Sequence, residues 1–182
     1  LNDQKLSRQH DSKGIETGSH IGSISVFNNG GTGTIGSSIH ILEPTHTSGV
    51  YGMNTNAYLP NDYFWSWSGE SLGETVSGTI KCGVEILGND NALIVESTKG
   101  KMTEVTPNGD VVWVYENPHG DLLYQQFDTP LNNGFFRASR YTDDYIGFNN
   151  VSLINTGIIE DVNSLSSQCS VVSLPEEEII FN

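Results

Sequence analysis

The stretch from Asn91 to Pro118, NALIVESTKGKMTEVTPNGDVVWVYENP, narrows most what this chain can fold into. It holds three short apolar runs separated by two turn signals, Thr98-Lys99-Gly100 and Pro107-Asn108-Gly109. The proline presets the φ angle of a turn, and the last glycine supplies the positive φ that a tight hairpin requires. The stretch therefore predicts three strands joined by tight turns. The third, Val111–Tyr115, is apolar enough that we expect it to be buried on both faces.

The rest of the chain has the same character, with short alternating runs between turn residues and 20 glycines among 182 residues. No window holds apolar residues at the i, i+3, i+4, i+7 spacing with caps at both ends, so no long helix is predicted. The predicted fold class is all-β. The predicted strands are Ser23–Phe27, Ser38–Leu42, Tyr63–Ser68, Lys81–Leu87, Ala92–Glu96, Lys101–Thr106, Val111–Tyr115 and Phe135–Tyr141.

A looser copy of the same strand order lies upstream, starting near Ile24 and carrying an inserted loop at Thr45–Asp62. A third start lies near Phe135. Repeats of about 40 to 50 residues with about four strands each are typical of propeller blades. Residues 1–148 are therefore predicted to form about three blades. Because propellers close with about 4–8 blades, we expect the chain to be the C-terminal part of a longer protein.

The segment of residues 149–182 differs in composition, being rich in Ser and Asn and carrying the acidic run Glu176-Glu177-Glu178. It is interpreted as a closing strand followed by an acidic tail, or as a linker toward a further module. The two cysteines, Cys82 and Cys169, are far apart and give no metal signature. They are either two separate thiols or one disulfide.

The charge balance excludes some partners. With 8 Lys+Arg against 22 Asp+Glu, the net charge is -14, which argues against a nucleic-acid partner because phosphate binding needs clustered cations. No apolar run approaches the roughly 18 residues of a membrane span. An acidic surface could attract calcium, but the sequence lacks the D-x-[DN]-x-[DN]-G loop, and no metal site is predicted.

A single histidine stands out near the N-terminus, in the stretch Arg8–Gly31, RQHDSKGIETGSHIGSISVFNNGG. His10 precedes an alternating run and could serve as base, acid or nucleophile near neutral pH. The simpler alternative is a turn residue bonded to a backbone group. Asp11 could orient the imidazole, but capping or turn chemistry is favoured because neighbouring side chains of an extended segment point opposite ways.

Three segments in order carry a resemblance: RQHD with SISVFNNGG, the Asn91–Pro118 stretch, and FFRASRYTDDYIGF. Together, from about Gln9 to Phe148, they resemble the C-terminal half of the bacterial aryl-sulfate sulfotransferases. That resemblance implies a six-bladed β-propeller, secreted or periplasmic. It also implies transfer of a sulfuryl group from an aryl sulfate to a phenol, with no nucleotide sulfate donor. The histidine of the family's Gln-His motif, which becomes transiently sulfated, corresponds to His10.

The resemblance implies further site residues. Arg137 lies in the family's FRA motif and could bind sulfate as a planar donor, or could form an ion pair holding the last blade. Lys81 falls where the family has a Ser or Thr, and a shift of one or two residues would put Thr79 there instead. The family's other channel residues come from blades N-terminal to the Gln-His motif, which this chain lacks, so we expect at best a partial site.

Two alternatives stay open. The chain could be a non-catalytic secreted propeller that binds glycan or protein, or an incomplete reading frame without activity of its own. The remaining histidines show no ligand spacing, and His40 is expected to have a surface or hydrogen-bonded core role. The three tryptophans, Trp65, Trp67 and Trp113, are interpreted as packing between blades rather than as an aromatic platform for the substrate.

Overall fold

The computed structural model describes residues 5–30, 36–69, 73, 75–124 and 128–154. These residues form an all-β structure whose only helices are two short 3-10 turns, Ser97–Lys99 and Ile146–Phe148. The strands are β1 His10–Gly14, β2 Ile24–Asn28, β3 Ser38–Leu42, β4 His46–Thr47, β5 Val50–Tyr51, β6 Met53–Asn54, β7 Ala57–Tyr58, β8 Trp65–Trp67, β9 Gly83–Ile86, β10 Ala92–Glu96, β11 Lys101–Val105 and β12 Val111–Glu116. The predicted all-β class is thus confirmed.

The strands make two four-stranded antiparallel sheets. The first sheet has the order β1-β2-β3-β8 and the second the order β9-β10-β11-β12. Between β3 and β8 the chain forms two small hairpins, β4–β5 and β6–β7, within the stretch that the sequence marked as an inserted loop. Each four-stranded sheet is a simple meander, the connectivity found in propeller blades.

The hydrophobic core joins the two sheets. The first sheet supplies Phe27 and Ile39, each 0 % exposed, and the second supplies Val84, Ile94 and Val105. These side chains alternate with residues on the opposite face of each strand, as a pleated sheet requires. Burying each large side chain contributes roughly 1.5–3 kcal/mol. The core therefore holds β1 and β2 against β9. This contact fixes the position of β1, the edge strand that carries His10.

Two tryptophans of β8 tie the sheets together at their other end. The indole of Trp65 donates a hydrogen bond to the carbonyl of Pro107 at 2.8 Å, and that of Trp67 donates to the carbonyl of Gly109 at 3.2 Å. Both acceptors belong to the turn between β11 and β12, where Gly109 has φ +88°. The turn predicted from the sequence is confirmed, and so is the packing role of these two rings.

The expected burial of the Val111–Tyr115 strand is wrong. This segment is a strand, β12, but Val112, Trp113 and Val114 are 55 %, 39 % and 46 % exposed. The reason is its position at the edge of the second sheet, after β11. The strand buried on both faces is the central β10, in which every residue is buried.

The predicted strand Phe135–Tyr141 is also wrong. This segment is irregular and pairs with none of the described strands. The N–H of Phe135 bonds the carbonyl of Ser97 in the 3-10 turn, and that of Arg140 bonds the Glu85 carboxylate of β9. The described residues therefore contain two blade-like sheets where about three blades were expected. Cys82 is a buried free thiol, and burial raises the pKa of that thiol. Cys169 and most of the 149–182 segment lie outside the described residues.

Candidate functional site

His10 begins β1 at the free edge of the first sheet, with its imidazole exposed to solvent. Its Nδ1 lies 2.7 Å from Oδ1 of Asn29 and 3.0 Å from the carbonyl oxygen of Arg8. No hydrogen bond to Nε2 occurs among the described residues. The exposed ring is thus held through one nitrogen while the other makes no hydrogen bond in the described part of the chain, an arrangement suited to attack on a small electrophile.

Asn29 follows β2 and is 8 % exposed. Its Nδ2 donates hydrogen bonds to the carbonyls of Gly78 and Lys81, at 2.7 and 3.2 Å. One amide therefore links the imidazole of His10 to the backbone turn that precedes β9. Sequence reasoning missed Asn29 as a site residue, although an Asn directly after a buried strand in VFNNGG was the available signal.

Lys81 lies in this turn and has an unusual backbone. Its φ is +59° and that of Cys82 is +67°, a left-handed conformation that side chains other than Gly rarely adopt. Such strain persists where surrounding contacts hold it, and here the Asn29 amide bonds the Lys81 carbonyl. The Lys81 ammonium lies 5.9 Å from the centroid of the Phe136 ring. Thr79, the alternative residue, is exposed in the same turn.

Arg137 also contacts the Phe136 ring. Its guanidinium carbon lies 5.2 Å from the centroid of Phe136, so one ring contacts both predicted cations. The ion pair expected for the last segment is made by Arg140 instead, which bonds the buried Glu104 carboxylate. Arg137 forms no ion pair within the described part of the chain.

Ser97 connects the Lys81 turn to the Arg137 segment. Its hydroxyl accepts a hydrogen bond from the Cys82 N–H at 2.8 Å and donates one to the Phe136 carbonyl at 2.8 Å. Ser97 is 1 % exposed, so both bonds are shielded from water. Hydrogen bonds therefore run from the His10 ring through Asn29 to the Lys81 turn, and from that turn through Ser97 to Phe136, the residue before Arg137.

The cations of this region lack carboxylate partners. Lys5, Lys13, Lys99 and Arg140 each contact an acidic side chain. The cations of this region, Arg8, Lys81 and Arg137, pair with no acid among the described residues. In a chain of net charge -14, this leaves local positive charge available to an anion.

Asp11 has a structural role. Its Oδ2 accepts the backbone N–H of Val84 at 3.1 Å and lies 3.2 Å from the Lys13 ammonium. With φ +52°, Asp11 forms the irregularity in β1 that turns its side chain toward β9. It ties the two sheets together and does not bond the His10 ring. The favoured interpretation, local capping or turn chemistry, is wrong, because the bonded N–H belongs to a strand 73 residues away.

His40 is a hydrogen-bonded core residue. It is 6 % exposed, its ring stacks on Tyr63 at 3.8 Å, and its nitrogens contact the hydroxyls of Ser38 and Ser66 at 2.9 and 2.8 Å. Burial lowers the pKa of His40 from 6.5 to about 4. The imidazole therefore stays neutral in the folded protein at pH values where the unfolded chain would already take up a proton.

This lowered pKa gives a pH prediction. Between about pH 6.5 and pH 4 the unfolded chain binds one proton more at His40, so the free energy of unfolding falls as the pH falls. We expect a loss of about 2 kcal/mol across this window, since partial solvation reduces the full linkage value. Urea unfolding at several pH values should show it. The control His40→Gln should have a flatter pH dependence than the wild type; equal slopes would contradict the assignment.

The described residues contain neither a membrane-spanning helix nor a cluster of metal ligands. None of the helices there is both long enough and apolar enough to cross a membrane. Nor does any cluster of three or more His, Cys, Asp or Glu side chains in that part have an arrangement that could hold a metal ion.

Comparisons with known proteins bear on the whole chain. The family model described as "Arylsulfotransferase (ASST)" matches residues 1–118, which is more than half of the 182 residues. The match includes His10, Asn29 and Lys81 and ends before Arg137. No curated protein and no solved structure matches the chain significantly. The family indicates aryl sulfotransferase function in general, with aryl sulfates and phenols as the substrate class. On this match, the chain belongs to the arylsulfotransferase family.

Proposed function

We propose that this protein transfers a sulfuryl group from an aryl sulfate to a phenol through a covalent intermediate on His10. The observation that carries the proposal is the exposed imidazole, held through Nδ1 by Asn29, whose amide also bonds the backbone carbonyl of Lys81. The ammonium of Lys81 and the guanidinium of Arg137 both lie against the Phe136 ring. A neutral imidazole is a competent nucleophile near neutral pH, and a covalent intermediate divides one difficult transfer into two easier steps.

In the first step, Nε2 of His10 attacks the sulfur of the aryl sulfate. A nitrogen–sulfur bond forms, the bond from sulfur to the aryl oxygen breaks, and the electron pair leaves with the phenolate. In the second step, the oxygen of the acceptor phenol attacks the same sulfur. The nitrogen–sulfur bond breaks, the imidazole is restored, and the phenol proton passes to solvent or to the departing phenolate. No nucleotide sulfate donor and no metal enters either step.

Lys81 and Arg137 are proposed to bind the three sulfuryl oxygens. Charge spreads over these oxygens during transfer, and positioned cations stabilise it as they do in phosphoryl transfer. Neither cation is paired with an acid in the described residues, so neither has to break an ion pair to do so. Their shared contact with Phe136 holds both near one place, at 5.9 and 5.2 Å from its ring.

The two four-stranded sheets are proposed to be blades of a six-bladed propeller, with His10 on an innermost strand. The support is the meander order of each sheet and the face-to-face core between them. A secreted or periplasmic location is proposed with it, consistent with the high negative charge of the chain. Both proposals come from the family and stand apart from the proposed chemistry.

The experiment is a turnover assay with p-nitrophenyl sulfate as donor. We expect nitrophenol release that depends on added phenol, because the sulfated intermediate must be discharged by an acceptor. Quenching without acceptor at alkaline pH, followed by peptide mass spectrometry, should locate one sulfuryl group on the peptide that contains His10. If neither acceptor-dependent release nor sulfated peptide is found, the proposed reaction is wrong, and a non-catalytic propeller that binds glycan or protein takes its place.

A further inference from the structure

The orientation of the Asn29 amide follows from its partners. Its Nδ2 faces the carbonyl oxygens of Gly78 and Lys81, at 2.7 and 3.2 Å. Carbonyl oxygens only accept hydrogen bonds, so the NH2 group must point toward them. The Ser37 hydroxyl also contacts the Gly78 carbonyl, at 3.2 Å, and accepts the Gly78 N–H at 2.9 Å, which fixes this acceptor. Oδ1 of Asn29 therefore has to face His10.

The same reasoning assigns the proton on His10. Its Nδ1 meets two oxygens that can only accept, Asn29 Oδ1 at 2.7 Å and the Arg8 carbonyl at 3.0 Å. Nδ1 must therefore carry the hydrogen, and in the neutral ring the lone pair is then on Nε2. Asn29 makes the shorter contact. It is also the only one of the two acceptors that a side-chain substitution can remove.

We infer that Asn29 is a positioning residue, which holds His10 in the Nδ1–H tautomer with the nucleophilic lone pair on Nε2. The inference rests on the proposed function for its catalytic consequence but not for the tautomer itself. When the Nε2–sulfur bond forms and the aryl oxygen leaves with its electron pair, the Nδ1 proton stays in place. The ring then gains positive character, and the bond from Nδ1–H to Oδ1 becomes stronger.

An amide suits this position better than a carboxylate. It offers an acceptor to His10 and two donor hydrogens to the Gly78 and Lys81 carbonyls, so all its polar groups are used. An aspartate would set a carboxylate oxygen against two carbonyl oxygens in a buried place, where repulsion is poorly screened. We therefore expect Asn29→Asp to keep the Nδ1–H tautomer but to lower the stability of the fold.

The tautomer is measured by long-range 1H–15N correlation NMR on the full chain labelled with 15N-histidine, above the titration range of histidine. The His10 signals are identified by their loss in His10→Ala. In the wild type we expect Nδ1 to have the shift of a protonated nitrogen and Nε2 that of an unprotonated one. In Asn29→Ala the protonated fraction of Nδ1 should fall. The matched control is Asn28→Ala, a neighbour of like burial whose amide bonds Ser7 and Ser38 and makes no hydrogen bond to the ring. This variant should leave the protonated fraction of Nδ1 unchanged.

Kinetics give the second readout. Asn29→Ala should lower kcat about a hundredfold, with a smaller rise in KM, because the lost amide also bonds the carbonyl of Lys81 in the turn assigned to sulfate binding. An Nε2–H tautomer in the wild type would overturn the inference even if Asn29→Ala did not fold. An unchanged tautomer in folded Asn29→Ala would overturn it as well. An inactive wild type with the expected tautomer would instead refute the proposed function and leave the role of Asn29 in place.

Discussion

Replacing His10 by alanine should reduce acceptor-dependent sulfuryl transfer by about 10³-fold or more, because the nucleophile that divides the reaction into two steps is removed. The substitution should lower the free energy of unfolding by only about 1 kcal/mol, since the ring is exposed and outside the core and the Asn29 oxygen is the one buried group that loses its partner. Initial rates with p-nitrophenyl sulfate and phenol, together with urea unfolding curves, measure both effects on the same preparation.

The matched control is His46→Ala. His46 is also an exposed histidine on a strand, but it lies in the β4–β5 hairpin, in contact with the Tyr51 ring. This variant should keep the wild-type rate. A His10→Ala protein that retained more than about a tenth of the wild-type rate would rule out a covalent step on His10, because the transfer would then proceed without the proposed nucleophile.

The strands that sequence could predict are those with a strong local pattern. Ala92–Glu96 and Ser38–Leu42 were predicted with their observed bounds, because apolar β-branched runs flanked by turn residues leave little choice. β1, His10–Gly14, was not predicted, since HDSKG has no apolar alternation. It is a strand because it pairs with β2, with His10 opposite Phe27. Long-range pairing of this kind leaves no signal in the segment itself.

The exposure of Trp113 shows a second limit of prediction from the sequence. Its strand is as apolar as a central strand, and only the order of the sheet puts it at an edge. Local hydrophobicity predicts that a strand forms, but the neighbours on each side decide which of its faces are covered. Sheet order depends on contacts between distant segments, so the sequence pattern alone could not give it.

The sequence could predict the titratable residues of the candidate site, but not Asn29 and Ser97, whose hydrogen bonds connect its segments. His10 stood out from its own stretch, and the family resemblance added Lys81 and Arg137. The structure bonds the His10 ring to Asn29 and Asn29 to the Lys81 carbonyl, while Arg137 contacts the Phe136 ring that Lys81 also contacts; the chemical roles of all three stay predictions. Asn29 and Ser97 escaped notice because their function lies in bonds to residues 49 and 39 positions away, at Gly78 and Phe136. Asn and Ser are common in turns, so neither residue type indicates such a bond by itself.

Ser97→Ala should therefore destabilise the fold by about 2–4 kcal/mol. The substitution leaves the Cys82 N–H and the Phe136 carbonyl without their partner in a buried place, and each unpaired group costs about 1–3 kcal/mol. The Lys81 turn and the Arg137 segment also lose their direct connection, so KM for the aryl sulfate should rise. Urea unfolding and steady-state kinetics measure the two effects.

Ser25→Ala is the control for this prediction. Ser25 is likewise 1 % exposed, but its hydroxyl has no hydrogen-bond partner among the described residues. Removing a buried hydroxyl that makes no bond should leave the free energy of unfolding unchanged or raise it by about 1 kcal/mol. Equal losses in the two variants would mean that burial alone sets the cost. A loss confined to Ser97→Ala, with KM raised there only, would show that its two hydrogen bonds hold the Lys81 turn and the Arg137 segment together.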